Sequence, residues 1–86
     1  MIDDVTLRVR LHEAWDDINI AVPPQTTVGE LKRQVLTIAG DATPPGEFAV
    51  KFRGVELRDE QQSVADARIP DGAALIVLRR RRRAVR

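Results

Sequence analysis

The chain has 86 residues, enough for one domain with a modest core and no more. It has no cysteine, which excludes disulfides, a thiolate nucleophile and a zinc–thiolate site. The net charge of +1 conceals an asymmetry: residues 1–78 carry eight basic and thirteen acidic side chains, a net of −5, whereas residues 79–86 carry six arginines.

In chain order, Met1-Ile2-Asp3-Asp4 is acidic and has no apolar run, so a secretory leader is not expected. Val5, Leu7, Val9 and Leu11 alternate with Thr6, Arg8 and Arg10, the period of a half-buried strand. The polar stretch His12-Glu13-Ala14-Trp15-Asp16-Asp17 leads to a second alternating run, Ile18, Ile20 and Val22, so the two predict a hairpin with a long loop. Pro23-Pro24 ends the second strand by removing ladder donors.

Thr26 or Thr27 is the predicted N-cap of a helix, with Glu30 placed for a capping box. Val28, Leu31, Val35 and Ile38 recur at helical spacing with Leu36 beside them, and Lys32 and Arg33 are assigned to the solvent side. Gly40 suits the left-handed position after the last turn, giving a helix over residues 28–39.

Pro44-Pro45-Gly46 breaks the chain into a loop. Phe48, Val50 and Phe52 alternate with Ala49, Lys51 and Arg53 as a third strand, and Gly54 turns it into a short fourth strand at residues 55–57. Residues 58–68 are polar apart from Val64, and Ile69-Pro70-Asp71-Gly72 is a turn signal. Residues 74–78 form a last strand with Leu75 and Val77 on one face. The longest apolar stretch, residues 73–78, is far too short to cross a bilayer, and a cytoplasmic location is expected. One helix covers one face of a four- or five-stranded sheet, so the fold class is α+β, two layers, in the order ββαββ.

From Thr27 onward the sequence resembles the ubiquitin-like (β-grasp) family. Thr27-Val28-Gly29-Glu30-Leu31-Lys32 is similar to the family's helix opening, and Pro44-Pro45 to the double proline after that helix. Phe52-Arg53-Gly54-Val55-Glu56-Leu57 is similar to its phenylalanine-x-glycine-x-x-leucine turn, residues 64–69 to its leucine-serine-aspartate-tyrosine-x-isoleucine stretch, and Leu75-Ile76-Val77-Leu78-Arg79 to its last strand. The resemblance implies a β-grasp domain over residues 1–80, with the first and last strands parallel at the sheet centre. It places Leu7, Val9, Ile18, Ile20, Val22, Val28, Leu31, Val35, Val50, Leu57, Val64, Ile69, Leu75 and Val77 in the core, the set that periodicity selects.

The departures bear on function. Where ubiquitin ends in a conjugated di-glycine, this sequence reads Arg80-Arg81-Arg82-Arg83-Ala84-Val85-Arg86, so conjugation is not expected. Lys51 stands where the family's binding patch has its central isoleucine, Ile76 where it has a histidine, Leu78 where it has a valine, and Val55 where it has an acceptor lysine. Partners of ubiquitin itself are expected to bind poorly, because an unpaired charge is costly to bury in an apolar interface. Among members without di-glycine, the chain resembles the bacterial YukD-type modules associated with type VII secretion; an excised domain of a larger protein is the other fit.

No catalytic constellation emerges. The single histidine, His12, and the single serine, Ser63, lie in distant segments and cannot be read as a triad. Asp16-Asp17 and Asp59-Glu60 are read as solvated loop charge, and no metal, cofactor or small-molecule substrate is expected. Two binding readings stand instead, the first favoured and the second its alternative. The first is the outer sheet face, a mixed apolar and basic patch of Ile76, Leu78, Ala49, Lys51 and Arg8, with Arg10 nearby, that docks a protein. Trp15 is either an anchor there or a shield over the sheet edge. The second is an arginine tail, Arg80, Arg81, Arg82, Arg83 and Arg86, disordered over residues 81–86, that would bind nucleic acid or anionic lipid weakly and without sequence preference. A monomer is expected.

Overall fold

The computed structural model describes residues 4–11, 16–41 and 43–80. The predicted features at His12, Trp15 and residues 81–86 lie outside that range. Five strands, β1 (Val5–Leu11), β2 (Asp16–Val22), β3 (Phe48–Phe52), β4 (Val55–Glu56) and β5 (Ala73–Arg79), form one sheet in the order β2-β1-β5-β3-β4. β1 and β5 run parallel at its centre and every other pairing is antiparallel. The helix α1 (Val28–Ala39) packs on one face. This is the α+β arrangement expected from the sequence.

The helix begins and ends on its predicted residues. Thr27 is the N-cap, its Oγ1 accepting the Glu30 N–H at 3.1 Å. The reciprocal half of the capping box does not form, because the Glu30 carboxylate turns to Arg33 and Gln34 instead. The next two N–H groups are satisfied from a distant segment: Val28 donates to the Gln62 carbonyl at 2.9 Å and Gly29 to the Glu60 carbonyl at 2.8 Å. That approach favours a glycine, since a Cβ at residue 29 would sit 3.2 Å from the Glu60 carbonyl oxygen, closer than most Cβ contacts. At the other end Gly40 takes φ 73°, and the Gly40 and Asp41 N–H groups donate to Thr37 and Leu36 in a Schellman closure.

Alternation then sorts the sheet into two faces. Leu7, Val9 and Leu11 of β1, Phe48 and Val50 of β3, and Leu75 and Val77 of β5 point inward and are buried against Val28, Leu31, Val35 and Leu36 of α1. Val64 and Ile69 from residues 57–72 close the side of this core.

Three sequence expectations need correction. Ile38 is 58% exposed; the helix instead buries residues 28, 31, 32, 35 and 36, and residue 38 falls outside that arc. Ile18, Ile20 and Leu57 are only partly buried, with β2 at the sheet edge and Leu57 just past the short β4. Lys32, assigned to solvent, is 2% exposed. Its Nζ donates to the Phe48 carbonyl at 3.0 Å and to Glu60 Oε2 at 2.6 Å, so the ammonium is buried with two acceptors. Glu60 is correspondingly an ion-pair partner and not solvated loop charge.

Candidate functional site: the outer sheet face

Among the described residues α1 covers the inner face of the sheet, and no helix lies on the outer one. The register fixes what that outer face presents. Across the sheet, one row reads Asp17 on β2, Arg10 on β1, Ile76 on β5, Lys51 on β3 and Glu56 on β4. The next positions along β5 are Ala74, paired with Arg8, and Leu78, paired with Ala49. An apolar strip along the central strand is therefore flanked by cations on both neighbours, with acids at both margins.

The charges on this face divide into two kinds. Arg10 Nε donates to Asp17 Oδ1 at 3.0 Å, and Arg80 Nη1 donates to Glu56 Oε2 at 2.7 Å. Each carboxyl is held below its ordinary pKa chiefly by that hydrogen bond, with the arginine's charge acting in the same direction. Arg8 and Lys51 have neither a hydrogen bond nor an ion pair among the described residues. The two unengaged cations thus stand on either side of β5, while the two engaged ones are matched by carboxylates from the outer strands.

Each predicted face residue has a definite place. Ile76 is 42% exposed at the centre of the row, and Leu78 is half-buried beside it. Lys51 is half-buried and Arg8 is exposed. Ala49 lies in the expected register but is buried, so it floors the patch rather than offering contact surface. Below Ile76 a shallow groove runs over Ala74 and Gly72, bounded by Lys51, Arg53 and Asp71. Sequence reasoning missed this groove, because it forms between the Arg53-Gly54 turn and the residue 70–73 connection, which are far apart in the chain.

Arg80, the first residue of the predicted anion-binding tail, is engaged by the globule itself. Its backbone N–H donates to the Glu47 carbonyl at 2.7 Å, and its guanidinium meets Glu56 and, at 3.9 Å, Glu60. Arg81, Arg82, Arg83 and Arg86 lie outside the described residues. Arg79 is exposed, donating to Thr43 Oγ1 at 2.9 Å with its guanidinium 5.6 Å from the Phe48 ring centre.

Ser63 has a structural role, its Oγ accepting the Asp66 N–H at 2.9 Å and its backbone bridging Thr27. Among the described residues no group of three or more histidine, aspartate or glutamate side chains is gathered as a metal site, and no helix is long and apolar enough to cross a membrane.

No protein-family model matches the sequence, and no curated protein matches it. Solved structures match the fold. A ubiquitin-like domain of an Arabidopsis thaliana protein superposes with a TM-score of 0.79 at 19% identity, covering 99% of this chain and 87% of that one. Caldiarchaeum subterraneum ubiquitin superposes at 0.78 with 16% identity, covering 94% and 99%. The C-terminal ubiquitin-like domain of mouse tubulin-specific chaperone e also superposes at 0.78 with 16% identity, covering 98% and 94%. The fold is thus the ubiquitin-like β-grasp.

Proposed function

We propose that this chain is a noncatalytic interaction module that docks a protein partner on the outer sheet face through Ile76 and Leu78, with Lys51 and Arg8 as its charged rim. One observation carries the reading: a large aliphatic side chain, Ile76, is exposed on a sheet face that no helix among the described residues covers, with Lys51 beside it and Arg8 beside the next outward residue, Ala74, neither cation held in a hydrogen bond or ion pair among the described residues. A partner suited to this face offers an apolar side chain to Ile76 and carboxylates to Arg8 and Lys51. Aliphatic burial would supply affinity and the charge match would steer encounter.

Within this reading the module acts without conjugation through the residues that follow β5, because Arg80 to Arg83 stand there in place of a di-glycine, and a secretion-system accessory is one setting that suits it. The second reading, an adaptor for nucleic acid or an anionic surface, is favoured by the six arginines in residues 79–86.

Affinity capture from the host lysate separates the two. Wild type, Ile76→Asp, Leu78→Asp and a variant lacking residues 81–86 are compared after each is shown to melt cooperatively. Capture lost in the two aspartate variants but kept in the truncation supports the face, and the opposite pattern supports the tail. An ATP-dependent covalent ladder in the same lysate would contradict the unconjugated reading.

A further inference from the structure

The chain has fourteen basic side chains but only two lysines, Lys32 and Lys51. The structure gives them opposite chemical fates. Acyl transfer to a lysine requires a free, deprotonated amine that can approach a carbonyl carbon. Lys32 Nζ is buried and spends its hydrogens on the Phe48 carbonyl and the Glu60 carboxylate. Both contacts occupy the amine and block approach. Lys51 lies on the open face, borders the groove over Ala74 and Gly72, and has no hydrogen-bonding partner among the described residues.

The surroundings of Lys51 suit a particular donor. Arg53 shares the groove wall with Asp71, whose carboxylate accepts the Thr6 N–H at 2.7 Å. Glu56 stands opposite Lys51 on β4, engaged by Arg80, and Arg8 lies across Ala74 on the neighbouring strand. The Arg53 and Arg8 guanidinium groups, with their forked N–H donors, would attract a donor bearing phosphate. The consequence for the face follows from the same chemistry. Of the two cations on this face without an ion pair among the described residues, only Lys51 carries an amine that can be acylated. Acylation would put a neutral, extended amide beside Ile76 and remove the positive charge on the β3 side of the apolar strip, leaving Arg8 and Arg10 on the β1 side.

We propose that Lys51 is an acylation site that switches the docking face, modified by a phosphate-bearing acyl donor such as a coenzyme A thioester. The deprotonated Nζ attacks the thioester carbonyl, an N–C bond forms, the C–S bond breaks, and the thiolate leaves and takes up a proton released by the amine. Modification of Lys51 rests only on the structure around the two lysines; its effect on docking rests on the function proposed above.

The test uses the intact folded chain incubated with acetyl-coenzyme A at mildly alkaline pH. Site occupancy is followed by mass spectrometry after digestion at acidic residues. Lys51 should be acetylated at least ten-fold faster than Lys32, and the difference should collapse in strong urea. Equal rates in the folded chain overturn the site. In the lysate capture, Lys51→Gln should bind differently from wild type while Lys51→Arg matches it. If Lys51→Gln and Lys51→Arg behave alike while Ile76→Asp still abolishes capture, the switch is overturned. If Ile76→Asp has no effect, the docking reading itself fails, whatever the mass spectra show.

Discussion

Removing the Glu60 carboxylate tests the least expected interaction in the core. Lys32 is 2% exposed and its ammonium has two acceptors, one a fixed backbone carbonyl and the other Glu60 Oε2 at 2.6 Å. Glu60→Ala leaves a buried cation with a single neutral partner. Breaking a fully buried pair costs roughly 3–5 kcal/mol. The Glu60 side chain is itself 29% exposed, so water can enter after truncation, and about 2–3 kcal/mol is the expected loss. Against a total stability of about 5–10 kcal/mol that is a large share, equivalent to roughly 10–20 °C in melting temperature. The Glu60 backbone carbonyl, which holds the Gly29 N–H, survives the substitution. Urea titration with an unchanged m-value is the assay. Two companions make the reasoning strict. Lys32→Met with Glu60→Gln should return to within about 1 kcal/mol of wild type, because no buried charge remains. Arg80→Ala, whose guanidinium is 44% exposed, should cost under about 1 kcal/mol. A Glu60→Ala loss below half a kcal/mol, or a double variant worse than the sum of its parts, would refute the pair's role.

Leu31 is 1% exposed between helix and sheet, so Leu31→Ala should cost roughly 2–5 kcal/mol in urea titration; a loss under half a kcal/mol would contradict this helix register. Arg68 is exposed and holds φ at 59°, a left-handed conformation that asparagine tolerates better, so Arg68→Asn should gain about 0.5–1 kcal/mol. The Asp41 carboxyl is held below its ordinary pKa mainly by the Thr43 N–H, which it accepts at 2.8 Å, with Arg79 adding to the effect. A lowered folded pKa gives stabilisation that is present above the ordinary carboxylate range near pH 4 and fades as pH falls towards the folded value. Thermal melts from pH 2 to 7 should therefore show a shallower acid limb for Asp41→Asn than for wild type; identical limbs would mean the Asp41–Thr43 hydrogen bond does not persist in solution.

The legible parts of the fold are those where one physical rule acts alone. Period-2 alternation placed Val9, Leu75 and Val77 inward and Arg8, Ile76 and Leu78 outward, because each residue on a strand has only two faces to choose from. Thr27 and Gly40 marked the helix ends because capping and left-handed closure are local requirements. The sequence points Lys32 to solvent because a charge on a helix is ordinarily solvated. What reverses that is Glu60, twenty-eight positions later, brought in by a connection with no periodicity of its own. Ile38 departs for the opposite reason: its spacing matches the stripe, but the helix also packs residues 32 and 36, and the buried arc turns away from it.

The same division explains the candidate site. Its central strip follows from β5 alone, but its charge state does not, since every pairing crosses strands. A bare aliphatic row on an open sheet would invite self-association, and edge-placed charges oppose that. Here Asp17 and Glu56 take up Arg10 and Arg80 at the two margins, so on the strands beside β5 the cations without an ion pair among the described residues are Arg8, next to Ala74, and Lys51, next to Ile76. Reversing both of them discriminates between guarding and recruiting roles. If Arg8 and Lys51 served only to keep the face from associating with itself, Arg8→Glu with Lys51→Glu would leave both the association state and capture unchanged, because two copies carrying the same sign repel whichever sign it is. If they recruit an acidic partner, the double reversal would leave the association state unchanged and lose the partner. The arrangement, with acids at the margins and unengaged cations at the centre, predicts the second result.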